Sequence, residues 1–304
     1  MDLSKIFSTI DTHVAGEPFR IVTRSSIQLD KADIKSNHEL LQRNFDEEKA
    51  FLLNEPRGHR GMSGCIVTPS KTSDYGLLFF SHEGVTFKYG GLVASLTALL
   101  ETGNLRKKES GIYRIETIRG VYELKAKMIG GEVTEVFLET DDVKVIDTRN
   151  GYDVVQVDNS RTYILFPLPE SIPSIEMEHI SAVTNWGSAT LENLKNGKIN
   201  FDGYVVIEKT KSPNQIRTVT FEKDGSITRS PNIDSTIAVL AALRKKSHKI
   251  EHLTNKSIFG SSITVNRLAN KENRFSTRLK AFITGIHEFV YDKDDPFKKG
   301  FILK

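Results

Sequence analysis

A chain of 304 residues, 38% hydrophobic and 27% charged, has the composition of a soluble globular protein long enough for two domains. Its 42 Lys and Arg are nearly balanced by 39 Asp and Glu, and the net charge of +3 is spread along the chain, which excludes a clustered nucleic-acid footprint. One cysteine excludes an internal disulfide framework, no apolar run reaches membrane-spanning length and Met1 to Lys5 carry no signal pattern, so a cytoplasmic protein with no membrane partner is expected.

In chain order, strand-like runs within 4–29 flank a Gly16-Glu17-Pro18 turn, because glycine and proline both interrupt pairing. Over 31–53, apolar residues recur among charged ones at Ile34, Leu40, Leu41, Phe45, Phe51 and Leu52, predicting an amphipathic surface helix. A glycine-rich loop over 55–69 leads into a strand, and 77–80 reads as a short buried strand. The stretch 92–100 is apolar or small at almost every position, the signature of a helix buried on all sides. Gly90 and Gly91 open it and Gly103 stands where a C-cap glycine belongs. From 111 to about 163 the pattern is β, with runs at 112–118, 121–128, 133–138, 143–146, 154–157 and 163–166. Turn signals at Gly130-Gly131 and Asn150-Gly151 separate them. A helix is predicted over 180–194 with Trp186 packed inside, then strands over 205–208 and 216–221. A second wholly apolar run, 237–243, follows the N-cap candidates Asp234, Ser235 and Thr236. Strands over 257–268 and 279–291 complete the chain.

Two buried helices, one per half, predict a duplicated α/β (α+β) architecture. The expected halves are 1–125, with the strand of 280–304 returning to it, and 126–279, with a cleft between them. Helix N-termini collect anions because their free N–H groups and dipole converge on one spot. Two such ends facing one cleft would hold a small carboxylate.

Seven segments in order then resemble the proline racemase family, which includes 4-hydroxyproline epimerases and trans-3-hydroxyproline dehydratases. They are the run from Asp11 to Val22, Pro56-Arg-Gly-His59, Glu83-Gly84, the run from Ala98 to Gly103, Arg229-Ser-Pro231, Leu240-Ala-Ala-Leu243 and the run from Asp294 to Phe301. The resemblance implies two similar domains, each a curved, mostly antiparallel sheet around a buried helix, like diaminopimelate epimerase. It also implies a small amino-acid or imino-acid ligand, no cofactor, no metal and a homodimer.

The chemistry departs from that family. Its racemases remove an α-proton with one thiolate and return it from a second thiol, each at the mouth of a central helix where the dipole favours the thiolate. The family's Met-Cys-Gly-His-Gly corresponds here to Phe87-Lys88-Tyr89-Gly90-Gly91. Its Asp-Arg-Ser-Pro-Cys-Gly-Thr-Gly-Thr corresponds to the run from Thr228 to Thr236. Lys88 and Asn232 therefore stand where the cysteines would be, and Gly90 and Thr228 replace the family's histidine and aspartate. The family's Ala-Tyr-Gly-Gly loop is shortened across Val157 to Tyr163, and Cys65 matches neither catalytic position. A two-thiol racemase is excluded on residues alone, and because the family's dehydratases replace the first cysteine with threonine but keep the second, Lys88 and Asn232 do not match their pattern either.

Lys88 at a helix N-terminus has its charged form disfavoured by the dipole, so in a dry cleft it is either a neutral base or Schiff-base amine, or else a salt-bridged side chain. Asp234 is either an acid partner or an ordinary cap. Asn232 can only hydrogen-bond. Gly90, Gly91, Asn232, Ser235 and Thr236 are the candidate substrate-binding residues. His13, His59 and His82 read as structural, and His248 and His252 lack a third ligand for a metal. Two functions stay open: an isomerase, epimerase or dehydratase with altered chemistry on a proline-like carboxylate, or an inactive homologue keeping the scaffold for binding or assembly. The helix end needs an offsetting carboxylate, either Asp234 or a bound ligand, and Lys88 and Asp234 are expected to approach within salt-bridge or water-bridged distance.

Overall fold

A computed structural model describes residues 3–29, 33–82, 84, 86–149, 151–228, 230–269 and 271–302. Lys31, where the surface helix was predicted to begin, Asn150 of the predicted turn, and Glu83 and Arg229 of the quoted segments lie outside the described residues.

The first part of the chain runs β1 (Leu3–Val14), β2 (Glu17–Arg24), α1 (Ile34–Arg43), α2 (Asp46–Leu53), β3 (Ser63–Thr68), β4 (Tyr75–Phe80), α3 (Tyr89–Glu101), β5 (Ile112–Thr117), β6 (Gly120–Ile129), β7 (Glu132–Glu139) and β8 (Lys144–Arg149). The second runs β9 (Tyr152–Gln156), β10 (Thr162–Pro167), α4 (Ile180–Asn196), β11 (Gly203–Lys209), β12 (Gln215–Glu222), α5 (Ile233–Lys246), β13 (His252–Lys256), β14 (Ser262–Arg267), β15 (Phe275–Leu279) and β16 (Ala281–Asp292). The chain divides into two compact units, Met1–Leu138 with Leu279–Lys304, and Glu139–Arg278.

Each unit is one sheet with the same plan. In the first, the strand order is β16-β1-β2-β3-β4-β5-β6-β7, parallel only at β2–β3 and β4–β5. In the second it is β8-β9-β10-β11-β12-β13-β14-β15, parallel only at β10–β11 and β12–β13. A parallel pair needs a crossover, and each crossover here carries helix: α1 and α2 or α4 in the first, α3 or α5 in the second. The last strand of each repeat, β8 or β16, pairs with the first strand of the other. The fold is mostly strand with few helices, in two similar domains, each around a buried helix.

Burial explains the helix sequences. Every residue of α3 from Tyr89 to Leu100 is buried, as is α5 from Ile233 to Ala242, so neither helix has a polar stripe. The crossover α1 and α2 cover the sheet's other face in the first unit, where Leu41, Phe51 and Leu52 join Phe7, Ile66 and Phe80 in one cluster. In the second, α4 does this through Val183 and Leu194 against Tyr204 and Phe221, with Trp186 packed at the margin. The single predicted helix over 31–53 is two helices, broken where Phe45 takes φ 68°. The predicted strand over 257–268 is shortened to β14 by the turn at Gly260, and β13 precedes it.

Candidate functional site

The first helix begins two residues earlier than Gly91: Lys88 is the N-cap and Tyr89 the first helical residue. Lys88 is extended at φ −139° and ψ 129°, and its side chain does not cap the helix. Its Nζ instead donates to Glu17 Oε1 at 3.1 Å. Both side chains are nearly enclosed, 12% and 6% exposed. Glu17 arrives there because β1 and β2 turn sharply through Ala15 (φ 49°) and Gly16 (φ 93°), and Glu17 opens β2. A carboxylate beside a lysine at a helix N-terminus offsets two unfavourable effects, burial of the ammonium and its proximity to the positive dipole end. Sequence reasoning read Glu17 only as part of a turn.

Gly90 and Gly91 serve close packing. A Cβ on Gly90 would lie 2.8 Å from the Phe19 ring and 3.2 Å from Glu17 Oε2, so the approach of the carboxylate requires glycine there. A Cβ on Gly91 would lie 2.6 Å from the Phe79 ring and 3.0 Å from Cys65 Sγ. Cys65, on β3, is fully enclosed, and burial pushes its thiol far above the ordinary value, with the Lys88 charge opposing that only in part. Phe87 and Tyr89, on either side of Lys88, are buried in a ring cluster with Phe79 and Tyr122.

The second helix is capped from within. Asn232 is its N-cap, at φ 59° and ψ 130°, and its Oδ1 accepts from the N–H groups of Asp234 at 2.7 Å and Ser235 at 3.4 Å. The Thr236 N–H donates to the Asn232 carbonyl at 3.2 Å. The Ser235 and Thr236 hydroxyls turn back on the same loop, donating to the Pro231 carbonyl at 2.8 Å and the Asn232 carbonyl at 2.6 Å. Asn255 on β13 ties this loop down, its Nδ2 donating to Thr236 Oγ1 at 2.9 Å and to the Pro231 carbonyl at 3.1 Å. Ile233 is buried against the helix start.

Asp234 is therefore a first-turn residue of α5 and not its cap. Its carboxylate lies 2.6 Å from Arg161 Nη2, with both side chains almost wholly enclosed. Arg161 Nε donates in turn to Asp158 Oδ2 at 2.7 Å. Burial opposes the ionised form of Asp158, but the Arg161 guanidinium and the N–H groups of Ser160 and Arg161 outweigh it and hold the carboxyl below its usual range. The loop from Val157 to Tyr163, shortened relative to the resemblance, thus supplies the partner of Asp234. Lys88, Gly90, Gly91 and Glu17 form one group in the first unit; Asn232, Asp234, Ser235, Thr236, Arg161 and Asp158 form another in the second.

His13 stacks on Phe282 at 5.2 Å and its Nδ1 accepts from the Gly16 N–H at 3.3 Å. His248 follows α5 and His252 opens β13, so their i, i+4 spacing is not a helix face. Among the described residues no group of three or more His, Cys, Asp or Glu could hold a metal ion, and no helix is long and apolar enough to cross a membrane.

The family profile described as proline racemase matches residues 9–302. The chain is 31% identical to a trans-3-hydroxy-L-proline dehydratase of Bacillus thuringiensis subsp. konkukian, covering 100% of both sequences. Among solved structures it is similar to a probable proline racemase from Agrobacterium radiobacter K84 with bound carbonate, at TM-score 0.84, 20% identity and coverage of 98% of this chain and 96% of that one. A hydroxyproline epimerase from Agrobacterium vitis with bound trans-4-hydroxy-L-proline gives TM-score 0.81 at the same identity and the same coverage of both chains.

Proposed function

The chain belongs to the proline racemase family, and we propose that it binds a small proline-like carboxylate beside Lys88 at the mouth of α3, where it carries out one-sided α-proton chemistry of the dehydratase kind. The observation that supports this is the enclosed Lys88–Glu17 pair, 3.1 Å apart at a helix N-terminus. A racemase needs an acid and a base on opposite faces of the α-carbon. Asn232 has no useful acid–base chemistry with which to protonate or deprotonate an α-carbon, and its Oδ1 is already engaged by two N–H groups of α5. An elimination needs less. The Lys88 ammonium holds the substrate carboxylate and stabilises charge developing on it, while the Glu17 carboxylate takes the α-proton. The electrons of the C–H bond form the C=C bond as the C–O bond on the next carbon breaks, and the proton just taken by Glu17 passes to the departing hydroxyl, which leaves as water and restores the carboxylate. The resulting enamine tautomerises to a cyclic imine.

Incubation with trans-3-hydroxy-L-proline in D₂O, followed by NMR, tests this reading. Water loss or α-deuteration, abolished by Glu17→Gln and by Lys88→Met, is expected. The internally capped α5 favours a second reading, an inactive homologue that retains the scaffold for binding or assembly. Thermal stabilisation by proline analogues without any exchange at the α-carbon would select it over the first. If proline analogues produce no stabilisation and no exchange at the α-carbon, the ligand assignment itself is overturned.

A further inference from the structure

A cavity of about 470 Å³ opens in the second unit beside the C-terminal end of α5, a size usual for small-molecule sites. Val145, Ile146, Ala241 and Phe275 give it an apolar wall, and Lys144, Arg244 and Lys245 set three cations against the single carboxylate of Glu272. Arg244 is the unusual member, because its side chain is only 9% exposed. Its Nη1 is fixed by the Ile250 carbonyl at 2.5 Å, Glu251 Oε1 at 3.2 Å and the His248 carbonyl at 3.3 Å. Among the described residues, Nε and Nη2 make no hydrogen bond. One end of the guanidinium is thus clamped by protein while the Nε–Nη2 edge stays unengaged. That edge is the geometry with which arginine grips the two oxygens of a carboxylate.

We propose that this cavity binds a small organic carboxylate with an apolar body, its carboxylate on the Nε–Nη2 edge of Arg244 and its body against Val145, Ile146 and Phe275. The ligand is a monoanion, since Glu272 on the same wall and Glu251, 3.2 Å from Arg244, offset two of the three cations and leave a net charge that one carboxylate balances. Arg244, Lys245 and Lys246 also offset the negative end of the α5 dipole, which would otherwise repel an anion. The site is separate from the Asn232 cap, because Arg244 lies 12 positions further along α5, a rise of about 18 Å.

Benzoate is the probe, titrated into the full-length protein by calorimetry and by saturation-transfer NMR, with inorganic phosphate and phenyl phosphate alongside. Benzoate is expected to bind in the millimolar range or tighter, phenyl phosphate more weakly, and Arg244→Gln to weaken benzoate about tenfold or more. Should Arg244→Gln fail to fold, Lys245→Glu and the wall-filling Ala241→Phe decide, each expected to weaken benzoate several-fold. Lys88→Met is expected to leave benzoate binding unchanged. No binding at about 10 mM benzoate, or binding that survives all three cavity variants, overturns the proposal. Inorganic phosphate or phenyl phosphate binding as tightly as benzoate, or loss of benzoate binding in Lys88→Met, overturns it equally.

Discussion

The carboxylate of Asp234 lies 2.6 Å from the guanidinium of Arg161, and both side chains are enclosed at the start of the helix that centres the second unit. Removing one partner leaves the other charged in a low-dielectric setting, which typically costs about 3–5 kcal/mol. Arg161→Leu is therefore expected to lower unfolding stability by about that amount in urea titrations, with Asp234→Asn losing less because the amide still accepts a hydrogen bond. A loss under about 1 kcal/mol in Arg161→Leu would show that the pair does not anchor the helix start.

Asp158 sets the acid limit of the same cluster. Its folded pKa is depressed, so it contributes stability that is present above the unfolded value of about 3.9 and lost as pH falls through the folded value. Asp158→Asn should be less stable than the parent at neutral pH, and the gap should close as pH falls from about 5 to about 2. Urea midpoints across that range give the answer, and a gap independent of pH would rule out the carboxylate as its source.

Burial makes Cys65 chemically silent. Its thiol is pushed far above the ordinary range and packs against Gly91. Iodoacetamide should label it only after denaturant is added, and L-proline incubated with the native protein should keep its optical rotation. Rapid labelling of native protein would contradict the enclosure, and racemisation above a buffer control would contradict the loss of the two-thiol route.

The parts of the fold that show in sequence are those where burial is uniform. Leu92 to Leu100 and Ile237 to Leu243 are apolar or small at almost every position because each helix is surrounded by its own unit. β13 did not show, since His252-Leu-Thr-Asn-Lys256 offers one large apolar residue and its Asn255 is buried for hydrogen bonds instead. The helix break at Phe45 rests on a positive φ that no glycine announces. In the candidate site, Lys88 and Asn232 stood out because of what they replace. Their surroundings did not: Glu17 reaches Lys88 across 71 positions of sequence, and such a pairing has no local pattern. The Asn232 cap was legible in principle, since asparagine leads the N-cap preferences and precedes an apolar run, but Asp234, Ser235 and Thr236 compete for the same role.

The Lys88–Glu17 pair separates a structural role from a functional one. Lys88→Met leaves Glu17 without its 3.1 Å partner in an enclosed place, so it should destabilise the protein by up to about 3–5 kcal/mol. The double variant Lys88→Met with Glu17→Leu removes both charges and replaces them with apolar volume, and buried pairs exchanged in this way are often neutral. Stability should therefore return toward the parent, a coupling visible in a double-mutant cycle of thermal or urea unfolding. Ligand response should not return. If the pair is what meets the substrate carboxylate and the α-proton, the double variant folds normally and shows neither α-proton exchange nor stabilisation by proline analogues. A double variant that is stable and still stabilised by those analogues would confine Lys88 and Glu17 to holding the helix start, and the ligand would have to be met by other groups.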